Sequence, residues 1–140
     1  MGGTNGTNGT TARVLLVEDE EMIRETLGEM LGLYRHEVTV AVSGADALRQ
    51  FRPGAFDVVM TDLGMPGMSG LDLARAIRRQ DAAVAIVLAT GWGTELGREE
   101  VAAAGVNICL AKPLNLASVQ ATMTGLLAQR AAGPSGTGTR

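Results

Sequence analysis

Aromatic residues make up only 3% of this 140-residue chain. A core of stacked rings is therefore excluded, and packing falls to Val, Leu, Ile, Met and Ala. The single cysteine, Cys109, permits no internal disulfide and suits a reducing compartment. With a net charge of −3 the chain offers no basic field to hold nucleic acid. No stretch approaches the ~18 apolar residues of a membrane helix. The N-terminus is Gly, Thr and Asn rather than an apolar leader, so the expected location is the cytoplasm, away from any membrane. Without a leader, the glycosylation-like tripeptides at Asn5 and Asn8 carry no weight. Lysine is nearly absent too: every other basic residue is Arg, and Lys112 stands alone, between an apolar run and Pro113. A compact ammonium kept at one point suggests a place where a planar guanidinium does not fit.

The length fits one domain, which should bury about 68% of its unfolded surface. Residues 1–11 are a low-complexity Gly/Thr/Asn segment, read as a flexible linker or tag, and residues 132–140 form a similar tail. The folded part is then 12–131. Within it, short apolar or β-branched runs alternate with helical periodicity. Val14–Val17, residues 37–42, 57–61, 84–89 and 107–111 read as strands. Helices are expected from Met22, after Ser43, after Gly70, over about 95–104 and over about 116–131. Five strand–helix alternations predict an α/β fold with a five-stranded parallel sheet, doubly wound by right-handed crossovers.

That topology gives meaning to Asp62. It follows Val58-Val-Met-Thr61 and opens the loop Leu63-Gly-Met-Pro-Gly-Met-Ser-Gly70, so it ends the third strand. An Asp there can simply start a turn. Yet Glu18 and Asp19 end strand one, Thr90 ends strand four and Lys112 ends strand five. Parallel strands bring all of these to one edge, at the switch point where such sheets bind ligands. Three crowded carboxylates call for a cation, and oxygen donors suit Mg²⁺. A carboxylate beside Mg²⁺ can act as a nucleophile on phosphorus, with Lys112 and Thr90 facing the phosphoryl group and Gly64 leaving the backbone open. A plain Asp62–Lys112 ion pair would leave Glu18, Asp19 and Thr90 without a role.

The pieces Val17-Glu-Asp-Glu20, Asp62 to Gly70, Ala89-Thr-Gly91 and Ala111-Lys-Pro113 together resemble the receiver domains of two-component response regulators, over nearly all of residues 12–131. The resemblance implies a flavodoxin-like (βα)5 fold with strand order 2-1-3-4-5. It implies that Asp62 accepts phosphate from a phosphohistidine on a histidine kinase or histidine phosphotransfer protein. Asp19, Asp62 and the Gly64 carbonyl would hold Mg²⁺, with Mn²⁺ as a substitute, and Glu18 would act through water. Thr90 and Lys112 would contact the phosphoryl group, and the Lys112–Pro113 peptide would be cis.

Departures from the family's pattern shape the remaining expectations. Cys109 stands where members often carry a switching aromatic, and is expected to be a small core residue. Trp92, with Cys109 and Pro113, is assigned to a switch or partner surface; the alternative for Trp92 is packing on the fourth helix. Gly64 and Trp92 cannot position an attacking water as an acid or amide would, which predicts a phosphoryl group lasting longer than seconds. His36, the only histidine, is expected to be exposed and without a phosphotransfer role. The domain is expected to signal through protein contacts rather than to turn over substrate. Alternatives are a receiver from a hybrid sensor histidine kinase, a phosphate-independent pseudo-receiver, and a haloacid-dehalogenase-like phosphatase. The last would need a second acid at position 64, which is Gly.

Overall fold

A computed structural model describes residues 11–91 and 97–138, with side chains as far as residue 129. The order is β1 (Arg13–Val17), α1 (Glu21–Leu33), β2 (Glu37–Ala41), α2 (Gly44–Gln50), β3 (Val58–Asp62), α3 (Gly70–Gln80), β4 (Ala85–Thr90), α4 (Arg98–Ala103), β5 (Ile108–Ala111) and α5 (Leu116–Gly138). All four strand pairings are parallel, and the sheet runs β2-β1-β3-β4-β5. The chain thus reverses its direction of winding between β1 and β3, and the strand order 2-1-3-4-5 is the expected one.

Two apolar layers sandwich the sheet, because successive side chains of a strand point to opposite faces. Leu15, Val17, Val59, Ile86 and Leu88 meet Phe51, Leu73, Ala74 and Ile77 on one side. Val14, Leu16, Val58, Met60 and Val87 meet Leu27, Leu31, Val119, Met123 and Leu126 on the other. This two-sided burial explains the unbroken apolar runs of β1 and β3. Each fully buried Leu or Ile contributes roughly 1.5–3 kcal/mol.

Helix starts follow local chemistry. Ser43 caps α2 by accepting from the Asp46 N–H, and Ser69 forms a capping box with Asp72 at α3. At the other end of α3, Arg78 donates to the carbonyls of Asp81, Ala82, Val84 and Gly105, tying the helix to the entrances of β4 and β5.

Two expectations about exposure are corrected. His36 is buried at 7% exposure, because the α1–β2 turn folds over the entry to β1: Arg35 takes φ 69° and the Ala12 N–H donates to His36 Nδ1 at 3.1 Å. Cys109 is exposed and not a core residue. It lies on edge strand β5, and the six-residue α4 buries none of its own residues, so it gives that strand little cover. The last helix also runs past Ala131, into the segment read as a tail.

Candidate functional site

The site forms where β1, β3, β4 and β5 end. Register pairs Val17 with Thr61, Asp62 with Ala89, and Thr90 with Ala111. Glu18, Asp62, Thr90 and Lys112 therefore share one edge because the strands are parallel and in step. Hydrogen bonds fix the exits: Leu63 N–H donates to the Ala89 carbonyl at 2.9 Å, Lys112 N–H to the Thr90 carbonyl at 2.8 Å, and Glu18 N–H to the Ala41 carbonyl at 3.1 Å. The Lys112–Pro113 peptide is cis, as the family resemblance implies.

Behind Asp62, the backbone is held from two sides. The Thr61 hydroxyl donates to the Asp62 carbonyl at 3.0 Å. Gly70 presses the start of α3 against the same strand end: a Cβ there would run into the Asp62 carbonyl oxygen and stand 2.7 Å from Leu88 Cδ1. Sequence reading marks Gly70 only as a loop residue, since close approach of two backbones leaves no local signal. Around Gly64, by contrast, nothing lies within 4 Å of where a side chain would begin.

One carboxylate oxygen from each of Glu18, Asp19 and Asp62 lies within 4.8 Å of the other two. Glu18 and Asp62 are buried, at 2% and 8% exposure, and Asp19 is the most open of the three. Lys112 Nζ sits 2.7 Å from Asp62 Oδ1 and 3.9 Å from Glu18 Oε1. Burial pushes the Glu18 carboxyl up; the Glu20 N–H opposes this, and the negative charge of Asp62 adds to it. Burial alone would lower Lys112, but its hydrogen bond to Asp62 and the charges of Asp62, Glu18 and Glu20 raise it above its ordinary value. The cluster is oxygen-only and carries three acids against one ammonium, so the residues fit a hard divalent cation.

Thr90 closes β4 and is half-buried. It borders a cavity of about 520 Å³ that Cys109, Arg98 and Asn107 also line. Pro113 and Lys112 line another space, an apolar groove of about 590 Å³ against Met22, Ile23 and Met30 of α1. Trp92 lies outside the described residues. Sequence reading also missed Arg24, whose Nη1 donates to the Glu18 carbonyl at 2.9 Å. A contact across six residues between a helix and the preceding turn has no sequence periodicity to announce it.

No helix among the described residues is long and apolar enough to cross a membrane. The family model for the response regulator receiver domain matches residues 14–124. The two-component response regulator PhoP of Pseudomonas aeruginosa is 35% identical over 115 residues, 82% of this chain and 51% of that protein. Sensor protein EvgS of Escherichia coli K12 is 33% identical over 103 residues, 74% of this chain and 9% of that protein. Among solved structures, the chemotaxis protein CheY4 of Vibrio cholerae matches with a TM-score of 0.71 and 31% identity, covering 83% of this chain and 98% of that one. The chain thus spans about half the length of one relative and a small part of the other. On its sheet order, its clustered acids and the family match over most of its length, the chain belongs to the response regulator receiver domains of two-component signalling systems.

Proposed function

We propose that Asp62 is the phosphoacceptor of this receiver domain and takes a phosphoryl group from a phosphohistidine on a histidine kinase or histidine phosphotransfer protein. The observation that carries this reading is the meeting of three carboxylate oxygens within 4.8 Å of one another, with the only lysine 2.7 Å from Asp62. Glu18, Asp19, Asp62 and the Gly64 carbonyl would hold Mg²⁺ or Mn²⁺. The bound cation would supply charge neutralisation for the carboxylates and the incoming phosphoryl oxygens.

The chain's own groups do the rest. An Asp62 oxygen forms the O–P bond as the donor's P–N bond breaks, and the imidazole leaves with the bonding pair. Lys112, already on Oδ1, holds the carboxylate in place and faces the negative charge that arrives. Thr90, one step beyond the Ala89 that pairs with Asp62, would donate its hydroxyl to a phosphoryl oxygen. The open space at Gly64 leaves room for the phosphoryl group and offers no acid or amide to orient water against it. The phosphorylated form should therefore persist beyond seconds, as suits a signalling domain acting through protein contacts in the cytoplasm rather than a turnover enzyme. The match to a short part of a sensor protein favours a second reading of context, in which this receiver belongs to a hybrid sensor kinase.

The test is incubation with acetyl phosphate and Mg²⁺, read by intact mass. Wild type should gain one phosphoryl group, and Asp62→Asn, or wild type in EDTA, should gain none. If neither acetyl phosphate nor a phosphohistidine protein labels wild type, the proposal is wrong and the domain is a phosphate-independent binding module.

A further inference from the structure

Glu18 and Asp19 sit on the turn between β1 and α1, and this turn is held differently from the turns that lead into α2 and α3. The N-cap of α1, Glu20, makes no side-chain cap hydrogen bond, whereas Ser43 and Ser69 cap α2 and α3. In place of a cap there are two side-chain bonds. Glu18 Oε2 accepts from the Glu20 N–H at 3.0 Å, and Arg24 Nη1 donates to the Glu18 carbonyl at 2.9 Å.

These two bonds are not equivalent. The first uses a carboxylate that belongs to the acidic cluster. A cation or its water that took an oxygen of Glu18 would compete with the Glu20 N–H for that carboxylate. The second uses only the backbone of Glu18 and a group that can donate but not accept. It makes no use of the carboxylates that a cation would take. With the Glu18 N–H already committed to the Ala41 carbonyl, Arg24 fixes the remaining backbone group of that residue. Among the described residues, Arg24 forms no ion pair, so its guanidinium braces the turn without capturing an acid that the site needs.

We propose that Arg24 is a positioning residue for the cation site: bound to the Glu18 carbonyl, it keeps the β1–α1 turn in the shape that brings Glu18 and Asp19 to Asp62. The inference rests on the reading that this cluster takes Mg²⁺. Its sign separates it from a simple charge effect. Removing a positive group near three carboxylates should by itself tighten cation binding, whereas loosening the turn should weaken it.

The experiment is a calorimetric Mg²⁺ titration of wild type, Arg24→Ala, Arg24→Gln and Arg24→Lys, with melting in EDTA as the check of folding. Arg24→Ala and Arg24→Gln should bind Mg²⁺ about tenfold more weakly, the lower end of what losing an outer hydrogen bond costs a metal site. Arg24→Lys, which keeps a donor on a long stem, should recover part of that loss. If Arg24→Ala does not fold, Arg24→Gln carries the comparison. Folded Ala or Gln variants that bind Mg²⁺ as tightly as wild type, or more tightly, would overturn the inference and leave the phosphoacceptor reading intact. A wild type that binds no Mg²⁺ would instead sink both.

Discussion

In metal-free buffer above neutral pH, Asp62→Asn should stabilise the domain while Lys112→Met destabilises it, although the two residues are partners in one ion pair. The asymmetry follows from the neighbours. Asp62 loses one attraction at 2.7 Å, about 6 kcal/mol at an effective dielectric of about 20. It also sheds two repulsions, from Glu18 and Asp19, each about 3.5 kcal/mol or more at separations within 4.8 Å. The balance favours Asn by about 1 kcal/mol, and relief of burying a charge adds to it. Lys112 has no repulsion of this kind to shed. Its removal leaves Glu18 and Asp62, both under a tenth exposed, without their ammonium. Breaking a buried pair from one side costs roughly 3–5 kcal/mol, and the quarter-exposed lysine side chain places this case near 3 kcal/mol. Urea unfolding in EDTA would read both midpoints at constant slope. Excess Mg²⁺ should then raise wild type, narrow the deficit of Lys112→Met, and do less for Asp62→Asn. If both substitutions destabilise alike in EDTA, Asp62–Lys112 is a plain structural ion pair and the crowding argument is wrong.

Other substitutions probe the frame around the site. Gly70→Ala drives a methyl into the Asp62 carbonyl and Leu88, and should cost about 3 kcal/mol or more because backbone cannot give way. Gly28→Ala, inside α1 with nothing within 4 Å, should instead add about 0.5–1 kcal/mol; equal urea midpoints for the two would refute the packing argument. Burial lowers the pKa of His36, so the folded state favours the neutral ring that accepts from Ala12. Stability should be full above the unfolded value near 6.5 and fall as pH drops below it toward the folded value. His36→Gln should flatten that pH dependence, and a ring titration by NMR at or above the unfolded value would contradict it.

The strand-end positions of Glu18, Asp62, Thr90 and Lys112 were legible because their chemistry follows directly on apolar runs. Once the strands are parallel, being last in a strand means sharing an edge. The element order and the two-sided burial of β1 and β3 were legible for the same reason: an unbroken run such as Val14-Leu-Leu-Val17 suits only a strand covered on both faces.

His36 and Cys109 could not be read this way. A histidine before an edge strand looks solvent-facing until the entry of β1 folds against it and supplies the Ala12 N–H. A cysteine in an apolar strand looks buried until that strand proves to be an edge beneath a six-residue helix that buries nothing. The same holds for Gly70 against the Asp62 carbonyl and for Arg24 on the Glu18 carbonyl. By itself the sequence determined the period of each segment, hence the elements, their order and the residues at their ends. Only the tertiary structure decided which backbone approaches which, which edges stay uncovered and which donor finds which carbonyl, because those depend on distances between segments far apart along the chain.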